Sequence, residues 1–386
     1  MTYREIGKTG KMVSSLGFGC MRLPTIGGDN SKIDEEKAFE MINYAFENGI
    51  NYYDTAYPYH SDGSGAQGQS EFFTGSALKD KRDNVYIASK LPTWLIHSKD
   101  DPEKYLDKQL KALDTDYIDF YLLHALNLET YNSIKKLDII KFLEKAKSDG
   151  RIKHIGFSFH DGFSAFEQII NDYNWAFCQI QYNILDKAYQ AGEKGLNLAK
   201  EKGTGIIVME PLRGGLINDV VKPAKDILEK LNKDKSIVDW ALSWLFNNKD
   251  ISTVLSGMST LDQVKENIKI ADKNEADSMS GVELEAVDRV SKIISDSIKV
   301  PCTACKYCMP CPFGVDIPSC FSNYNSYYYF KEGSKAREKL IDQYNIYLDE
   351  SEKAKNCTQC KACESHCPQN ITISEEMQKV SALFEK

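Results

Sequence analysis

The sequence predicts an α/β fold, a closed (β/α)8 TIM barrel followed by a smaller, mainly helical C-terminal domain built around cysteine. Three observations predict it. Short apolar and β-branched runs alternate eight times with helical patterns, and eight such units in about 260 residues match the count and size of a (β/α)8 barrel. The alternation stops near residue 295, where the chain turns polar and helical. Nine of the eleven cysteines fall between residues 302 and 367. These shifts set the expected domains at 1–295 and 296–386.

The elements follow in chain order. The opening "YREIGKTGKMVS" predicts a two-stranded hairpin turning at "KTGK" and plugging the barrel floor. The eight strand runs are "SLGFGCM" (15–21), "INYYDTA" (50–56), "NVYIASKL" (84–91), "YIDFYLLHA" (117–125), "HIGFSFH" (154–160), "AFCQIQYN" (176–183), "GIIVMEPL" (205–212) and "ISTVLSGM" (251–258). Between them lie stretches of 3.6-residue spacing. In "DEEKAFEMINYAFENG" (34–49), for example, Phe39, Ile42, Ala45 and Phe46 share a face. Gly49, Gly150 and Gly203 close helices as left-handed caps. A doubly wound sheet would call for G-x-G-x-x-G after the first strand, and "GFGCMR" lacks the third glycine. The tail segment "SKAREKLIDQYNIYLDESEKAKN" (334–356) reads as helix framed by cysteine clusters.

Composition narrows the functional classes. With 386 residues, 42% hydrophobic and 27% charged, the chain is an ordinary globular protein long enough for one large and one small core. A net charge of −8 argues against a nucleic-acid footprint, which shows as a basic face. No run approaches the ~18 apolar residues that span a bilayer. The start "MTYREIGKTGKMV" lacks the apolar core of a secretory signal, so a cytoplasmic protein with no membrane or nucleic-acid partner is expected.

Chemistry on a barrel gathers at the C-terminal ends of its strands. Those ends offer Asp54 and nearby Tyr59, Lys90, and His124. Lys90, closing an apolar strand, calls for an anionic partner. "DTAYPY" (54–59), Lys90 in "IASKLP" and His124 in "YLLHAL" together resemble the catalytic tetrad of the aldo-keto reductase superfamily. "GFGCMRLP" (17–24) and "GMSTLDQVKENI" (257–268) are similar to the same family, and the resemblance spans roughly residues 3–275. It implies reduction of an aldehyde or ketone to an alcohol, or the reverse, by hydride transfer from NADPH or NADH. Tyr59 would then be the general acid, a phenol of pKa near 10 made more acidic by Lys90, with Asp54 keeping Lys90 charged and His124 orienting the carbonyl.

The resemblance also implies a nucleotide site. Gln179 and Ser158 match the carboxamide grip, and Met209 the position where many relatives stack an aromatic. Pro211, Leu212, Gly214 and Leu216 match the loop over the pyrophosphate, where Arg213 adds a cation. Gly257, Ser259, Gln263, Glu266 and Asn267 match the adenosine end, and Gly19, Cys20 and Met21 the first strand's contribution. Two departures stand out. Gln263 occupies a position where tight NADPH binders often place arginine, with Lys265 a partial substitute, so the cofactor choice leans slightly to NADH. The family's Tyr-Gly-x-Ser-Glu run is interrupted, since "HSDGSGAQ" separates Tyr59 from "GQSE" (68–71). Trp94, His60 and His160 fall near strand tops as candidate pocket walls.

The tail carries "CTACKYCMPCP" (Cys302, Cys305, Cys308, Cys311) and "CTQCKACESHCP" (Cys357, Cys360, Cys363, Cys367). The second run has the C-x2-C-x2-C-x3-C-P spacing of bacterial ferredoxins, in which the fourth cysteine serves the other cluster. The first is one residue short before its last cysteine. Two zinc sites of four thiolates are the alternative, although three cysteines at successive x2 spacings favour iron–sulfur. By the ferredoxin rule, Cys302, Cys305, Cys308 and Cys367 hold one [4Fe-4S] cluster, and Cys357, Cys360, Cys363 and Cys311 the other. Cys320 is left as a buried thiol. The 45-residue spacer between Cys311 and Cys357 makes this an all-helical ferredoxin-like iron–sulfur domain, resembling the branch of the family with such a tail. Either the clusters staple a domain too small to bury enough core, or they carry electrons to a docked redox protein. A nucleotide-binding redox sensor or electron-transfer adapter without carbonyl turnover is the alternative function.

Overall fold

The computed structural model describes residues 1–62, 66–302, 308–367 and 369–385. The chain forms two compact units: residues 1–214 with 241–279, and residues 215–240 with 280–386.

The first unit opens with a hairpin. Strands β1 (Tyr3–Glu5) and β2 (Met12–Ser14) pair antiparallel around the predicted turn. Eight parallel strands follow: β3 (Leu16–Gly19), β4 (Tyr52–Asp54), β5 (Tyr86–Leu91), β6 (Ile118–Leu126), β7 (Ile152–Phe159), β8 (Phe177–Gln181), β9 (Gly205–Met209) and β10 (Ile251–Gly257). They pair in sequence from β3 to β9, and β10 joins β9 to β3, closing the barrel. Parallel barrel strands are covered on both faces, which is why they read as continuous apolar runs rather than alternating ones. The first predicted strand ends early, because Cys20–Arg22 winds into a 3-10 turn.

Alternation still sets the interior. One buried cluster joins Tyr52, Ala88, Phe120, Leu122, Phe177, Ile207 and Leu255, one or two residues from each of six strands, with Ile6 and Val13 of the hairpin. The hairpin therefore closes the N-terminal mouth as expected. Gly7 shows how close the fit is: a Cβ there would stand 2.6 Å from the Gly205 nitrogen and 2.8 Å from the Ala176 oxygen. Strand side chains alternate faces. Two residues beyond this cluster, the same inward positions are therefore Asp54, Lys90, His124, Gln179, Met209 and Gly257. The floor is apolar and the next layer towards the opposite mouth is chemical.

Helix Glu35–Glu47 begins at Asp34, whose side chain accepts from the Lys37 amide, and buries Ala38, Met41, Ile42 and Ala45. Its buried face is rotated from the predicted one. Phe39 and Phe46 are half-buried at its edges, Phe39 edge-on to Phe73 at 5.1 Å and Phe46 beneath the Lys81 ammonium. Gly49, Gly150 and Gly203 adopt the predicted left-handed φ of +91°, +83° and +70°.

The second unit is helical. Helix Lys222–Leu231, which precedes β10 in the chain, packs on helix Gly281–Asp296. Residues 219–221 are tied into the unit by a Val220–Phe330 bridge and by Lys331 and Ala336 amides donating to Asp219. Its core gathers Val315, Ile317, Cys320, Phe321, Tyr344, Met377, Val380 and Phe384, with six of the clustered cysteines packed against it. The predicted helix over 334–356 ends at Tyr347, because residues 349–352 turn back and the Asp316 amide donates to the Glu352 carbonyl.

Candidate functional site

The C-terminal rim of the barrel collects the four tetrad residues around one ammonium. Lys90 Nζ donates to Asp54 Oδ1 at 2.6 Å, to the Thr55 carbonyl at 2.8 Å and to Tyr59 Oη at 3.2 Å. The His124 ring stands edge-on to Tyr59 with centroids 6.0 Å apart, and Trp94 lies against its other side at 5.1 Å. Lys90 is wholly buried and Asp54 nearly so. His124 Nδ1 and Asp54 Oδ2 are buried without a hydrogen-bond partner.

Burial and charge oppose one another at this site. Burial works against the Lys90 ammonium, but Asp54 and then Tyr59 outweigh it and hold the amine above its ordinary value. Burial pushes the Asp54 carboxyl up while Lys90 pulls it back. The Tyr59 phenol is not made more acidic as expected: burial pushes it above 10, and the pull of Lys90, opposed by Asp54 and Glu210, does not offset this. His124 is driven well below 6.5 by burial first, then by Lys90 and His160, so its imidazole is neutral at physiological pH.

Behind Lys90 runs a polar network that the sequence reading missed. Buried Glu71 accepts from Ser89 Oγ at 2.5 Å and Gln109 Nε2 at 2.6 Å, and from Gln67 Nε2 at 2.7 Å on its other oxygen. Gln109 also donates to the Lys90 carbonyl, and Tyr121 donates to Gln109. Nothing in a lone Glu and Gln 38 residues apart signals this pairing.

The interrupted Tyr-Gly-x-Ser-Glu run is rejoined in space. The Gly68 amide donates to the Tyr57 carbonyl, Gln69 to His60 and Ser70 to Tyr59. A Cβ on Gly68 would sit 1.9 Å from the Tyr59 carbonyl oxygen. Gly68-Gln69-Ser70-Glu71 thus resumes directly on Tyr59. His60, at the insertion's start, is buried and accepts from the Leu23 amide through Nε2. Residues 63–65 of the insertion lie outside the described residues.

The positions matched to the nucleotide lie along β7 to β10 and β3. Gln179 Nε2 donates to the Met209 sulfur at 3.6 Å, and its Oε1 is buried without a partner. Ser158 Oγ accepts from the Ala125 amide. Gly19 packs at the β10 edge, Cys20 is buried, and Met21 is exposed. Pro211 and Leu216 are buried, Leu212 half-buried, and Gly214 has φ +64°. Arg213 Nε lies 3.4 Å from buried Asp186. Ser259 Oγ donates to the Arg22 carbonyl, and Gln263 Oε1 accepts from the Ser259 amide. Asn267 is buried on Ser256, Glu266 is exposed, and Lys265 lies over Tyr44. His160 and Gln190 pair at 3.3 Å.

In the second unit, Cys302, Cys308, Cys311, Cys357, Cys363 and Cys367 are half-buried, Cys360 is exposed, and Cys305 lies outside the described residues. The Cys363 thiol is pushed up to about 11, by burial first, with Cys357, Glu364 and Cys311 adding to it. Cysteines of both runs pack against the same core. Among the described residues no three His, Cys, Asp or Glu side chains converge as on a single ion. Ligands of an iron–sulfur cube instead sit on separate irons. Cys320 is buried, its thiol 3.6 Å from the Tyr344 hydroxyl. No helix of the described residues is long and apolar enough to cross a membrane.

Comparison with known proteins finds two family matches along the chain. The aldo/keto reductase family matches residues 15–289, and a 4Fe-4S dicluster domain matches residues 301–372. L-galactose dehydrogenase of Arabidopsis thaliana is 28% identical over 75% of this chain and 93% of its own. The NADH-specific methylglyoxal reductase of Escherichia coli is 25% identical over 71% and 94%. Among solved structures, the holo form of an aldo-keto reductase from Bacillus halodurans superimposes with a TM-score of 0.62 at 27% identity, covering 75% of this chain and 96% of that one. An aldo-keto reductase of Klebsiella pneumoniae in complex with NADPH shares the fold, with a TM-score of 0.58 at 21% identity over 75% and 96%. The chain belongs to the aldo/keto reductase family, an oxidoreductase barrel that carries a 4Fe-4S dicluster domain.

Proposed function

We propose that the protein interconverts a small carbonyl compound and its alcohol, with NADH or NADPH as hydride partner and Tyr59 as general acid and base. One observation carries this reading: a single buried ammonium, Lys90, bonds both Asp54 and the Tyr59 hydroxyl. Reduction puts negative charge on the carbonyl oxygen, and a proton must meet it there. A phenol held above pKa 10 stays protonated at neutral pH, the form that donates. The phenolate left behind faces Lys90, whose charge Asp54 maintains. Neutral His124, on the next strand, keeps an imidazole available to hydrogen-bond the carbonyl oxygen and orient it.

The bound nicotinamide supplies the hydride, chemistry that no side chain offers. The residues present fit such a group. Gln179 Oε1 is a buried acceptor without a donor, suited to a carboxamide, and Met209 offers a polarizable contact beside it. The relative named for NADH supports that nucleotide.

For the second unit the reading is two [4Fe-4S] clusters, with Cys302, Cys305, Cys308 and Cys367 on one and Cys311, Cys357, Cys360 and Cys363 on the other. The packing of cysteines from both runs against one core supports the exchanged fourth ligand. A redox protein docking at this unit is the partner that cluster chemistry favours. The test of the barrel chemistry is turnover of an aldehyde and ketone panel with both nucleotides, alongside Tyr59→Phe. Turnover by the parent and its loss in Tyr59→Phe is expected. Equal turnover in both would overturn the role of Tyr59, and nucleotide binding without turnover on any carbonyl would favour the sensor.

A further inference from the structure

We infer that His60 is a positioning residue for the proposed acid: its imidazole fastens the backbone directly after Tyr59 to the loop that follows β3, and so holds the phenol against Lys90. The inference rests on the assignment of Tyr59 as acid and names the residue that fixes it in place. His60, expected near a strand top as a pocket wall, has another position in the structure. Its side chain is buried, and the chain itself engages both ring nitrogens. Nε2 accepts from the Leu23 amide at 3.2 Å, so the proton resides on Nδ1, which donates to the Asn30 carbonyl at 2.9 Å. A buried imidazole bonded at both nitrogens has none left for a substrate. It acts through what it holds.

What it holds is the root of the insertion and the backbone of Tyr59. The Asn30 side chain donates back to the Ser61 carbonyl at 3.2 Å, so loop and insertion are bonded in both directions. The His60 carbonyl accepts from the Gln69 amide at 3.1 Å, and the Tyr59 carbonyl from the Ser70 amide at 3.2 Å. Ser70 Oγ in turn donates to the Cys20 carbonyl at 3.0 Å. Residues 20–30 therefore grip Tyr59 from two sides, through His60 after it and through Ser70 across from it. His60 has a left-handed φ of +59°, a conformation that residues with a β-carbon hold only where their surroundings impose it. Two bonds from one buried ring impose it here. Burial keeps the imidazole below its ordinary pKa, against the pull of the Asn30 and Cys20 carbonyls, which leaves the Nε2 lone pair to the Leu23 amide. The restraint matters because the phenol meets Lys90 at 3.2 Å, and a displacement of about 1 Å in a reacting group costs a large factor in rate.

Glycine is the discriminating substitution. His60→Gly relieves the left-handed φ, which glycine adopts freely, and deletes both side-chain bonds. Reduction of glyceraldehyde and of benzaldehyde is measured on the cluster-loaded full chain, with melting temperatures taken in parallel. His60→Gly is expected to lower kcat and kcat/KM by the same factor, roughly tenfold to a hundredfold, with KM within about twofold of the parent. His60→Asn keeps a donor near the place of Nδ1, and His60→Gln an acceptor near that of Nε2, so each should recover part of the loss. Lys32→Ala, exposed on the same loop, should match the parent. Parent-like kcat in His60→Gly overturns the inference, and so does a loss confined to KM. If His60→Gly does not fold, parent-like kcat in both His60→Asn and His60→Gln overturns it. A parent chain that reduces no carbonyl sinks the assignment of Tyr59 and this inference with it, a result distinct from a working parent whose kcat ignores His60.

Discussion

The Lys90 ammonium lies 3.2 Å from the Tyr59 hydroxyl and 2.6 Å from Asp54 Oδ1. One cation thus joins a buried acid to a buried carboxylate, with no water-exposed route for its charge. The arrangement ties folding and chemistry together. Removing the cation strands a carboxylate in the protein interior and leaves any phenolate uncompensated.

Lys90→Met should therefore fail in two separable ways. Breaking a buried ion pair from one side costs about 3–5 kcal/mol, so the urea midpoint should fall sharply. Turnover should fall by roughly 10²–10⁴, the usual worth of a positioned proton donor. Adding Asp54→Leu removes the stranded charge, so the double variant should regain much of the stability but none of the activity. An active double variant would contradict the proposed role of the pair.

Gly68→Ala should damage the site through backbone alone. The new Cβ would fall 1.9 Å from the Tyr59 carbonyl, which cannot yield without moving the phenol. Loss of turnover with a lowered melting temperature is expected. Gly281→Ala, where nothing lies within 4 Å, serves as the control and should match the parent. Full activity in Gly68→Ala would mean that the rejoined Tyr-Gly-x-Ser-Glu run does not position Tyr59.

Glu71→Gln keeps shape and removes charge. Its oxygens accept from Ser89, Gln109 and Gln67, so an amide in their place sets donors against donors. Leaving a buried donor unsatisfied costs about 1–3 kcal/mol. Because Gln109 also holds the Lys90 carbonyl, turnover should drop together with the urea midpoint. A stability loss with unchanged turnover would show the network to be structural only.

How much of this was readable beforehand depends on the range of the signal. The eight strands were legible because each is a continuous apolar run, and the alternation that seats Tyr52 and Asp54 on one face is a local property. Asp54, Lys90 and His124 were legible because they lie at or near strand ends, and Tyr59 through the resemblance of "DTAYPY" to the family. Glu71 and Gln109 meet only through tertiary packing. Helix Lys222–Leu231 has an amphipathic pattern that suits either unit, and its bridge from Val220 to Phe330 spans more than a hundred residues, beyond any local pattern. The rotation of helix Glu35–Glu47 turns on Phe39 meeting Phe73, again a contact that no spacing encodes.

Histidines that their surroundings hold neutral predict the acid response. His154 is pushed down to about 4, by burial first and then by Lys147 and Lys11. In the unfolded chain it titrates near 6.5. Between these values the unfolded chain binds a proton that the folded chain refuses. Its contribution to stability is thus complete above about pH 6.5 and is lost as the pH falls towards about 4. His60, His124 and His160 are lowered in the same direction. Asp54, Glu71 and Asp119, raised by burial, act with the opposite sign at lower pH. Comparing urea midpoints of His154→Gln and the parent cancels those carboxylates. The parent should lose more stability than the variant between about pH 6.5 and 5. Parallel curves would contradict a neutral, half-buried His154.

The exchanged cysteine yields the last prediction. If Cys311 belongs with Cys357, Cys360 and Cys363, then Cys311→Ala and Cys360→Ala damage the same cluster. The double variant should lose no more iron and acid-labile sulfide per chain than either single variant. Cys302→Ala damages the other cluster, so its combination with Cys311→Ala should empty both. Pairing within each run predicts the reverse pattern: Cys302→Ala with Cys311→Ala would match the singles, and Cys311→Ala with Cys360→Ala would remove both. Anaerobic preparation and metal analysis of the five variants distinguish the two. Cysteines of both runs pack against one core, which favours the crossed arrangement by letting a ligand of one run serve the cluster of the other.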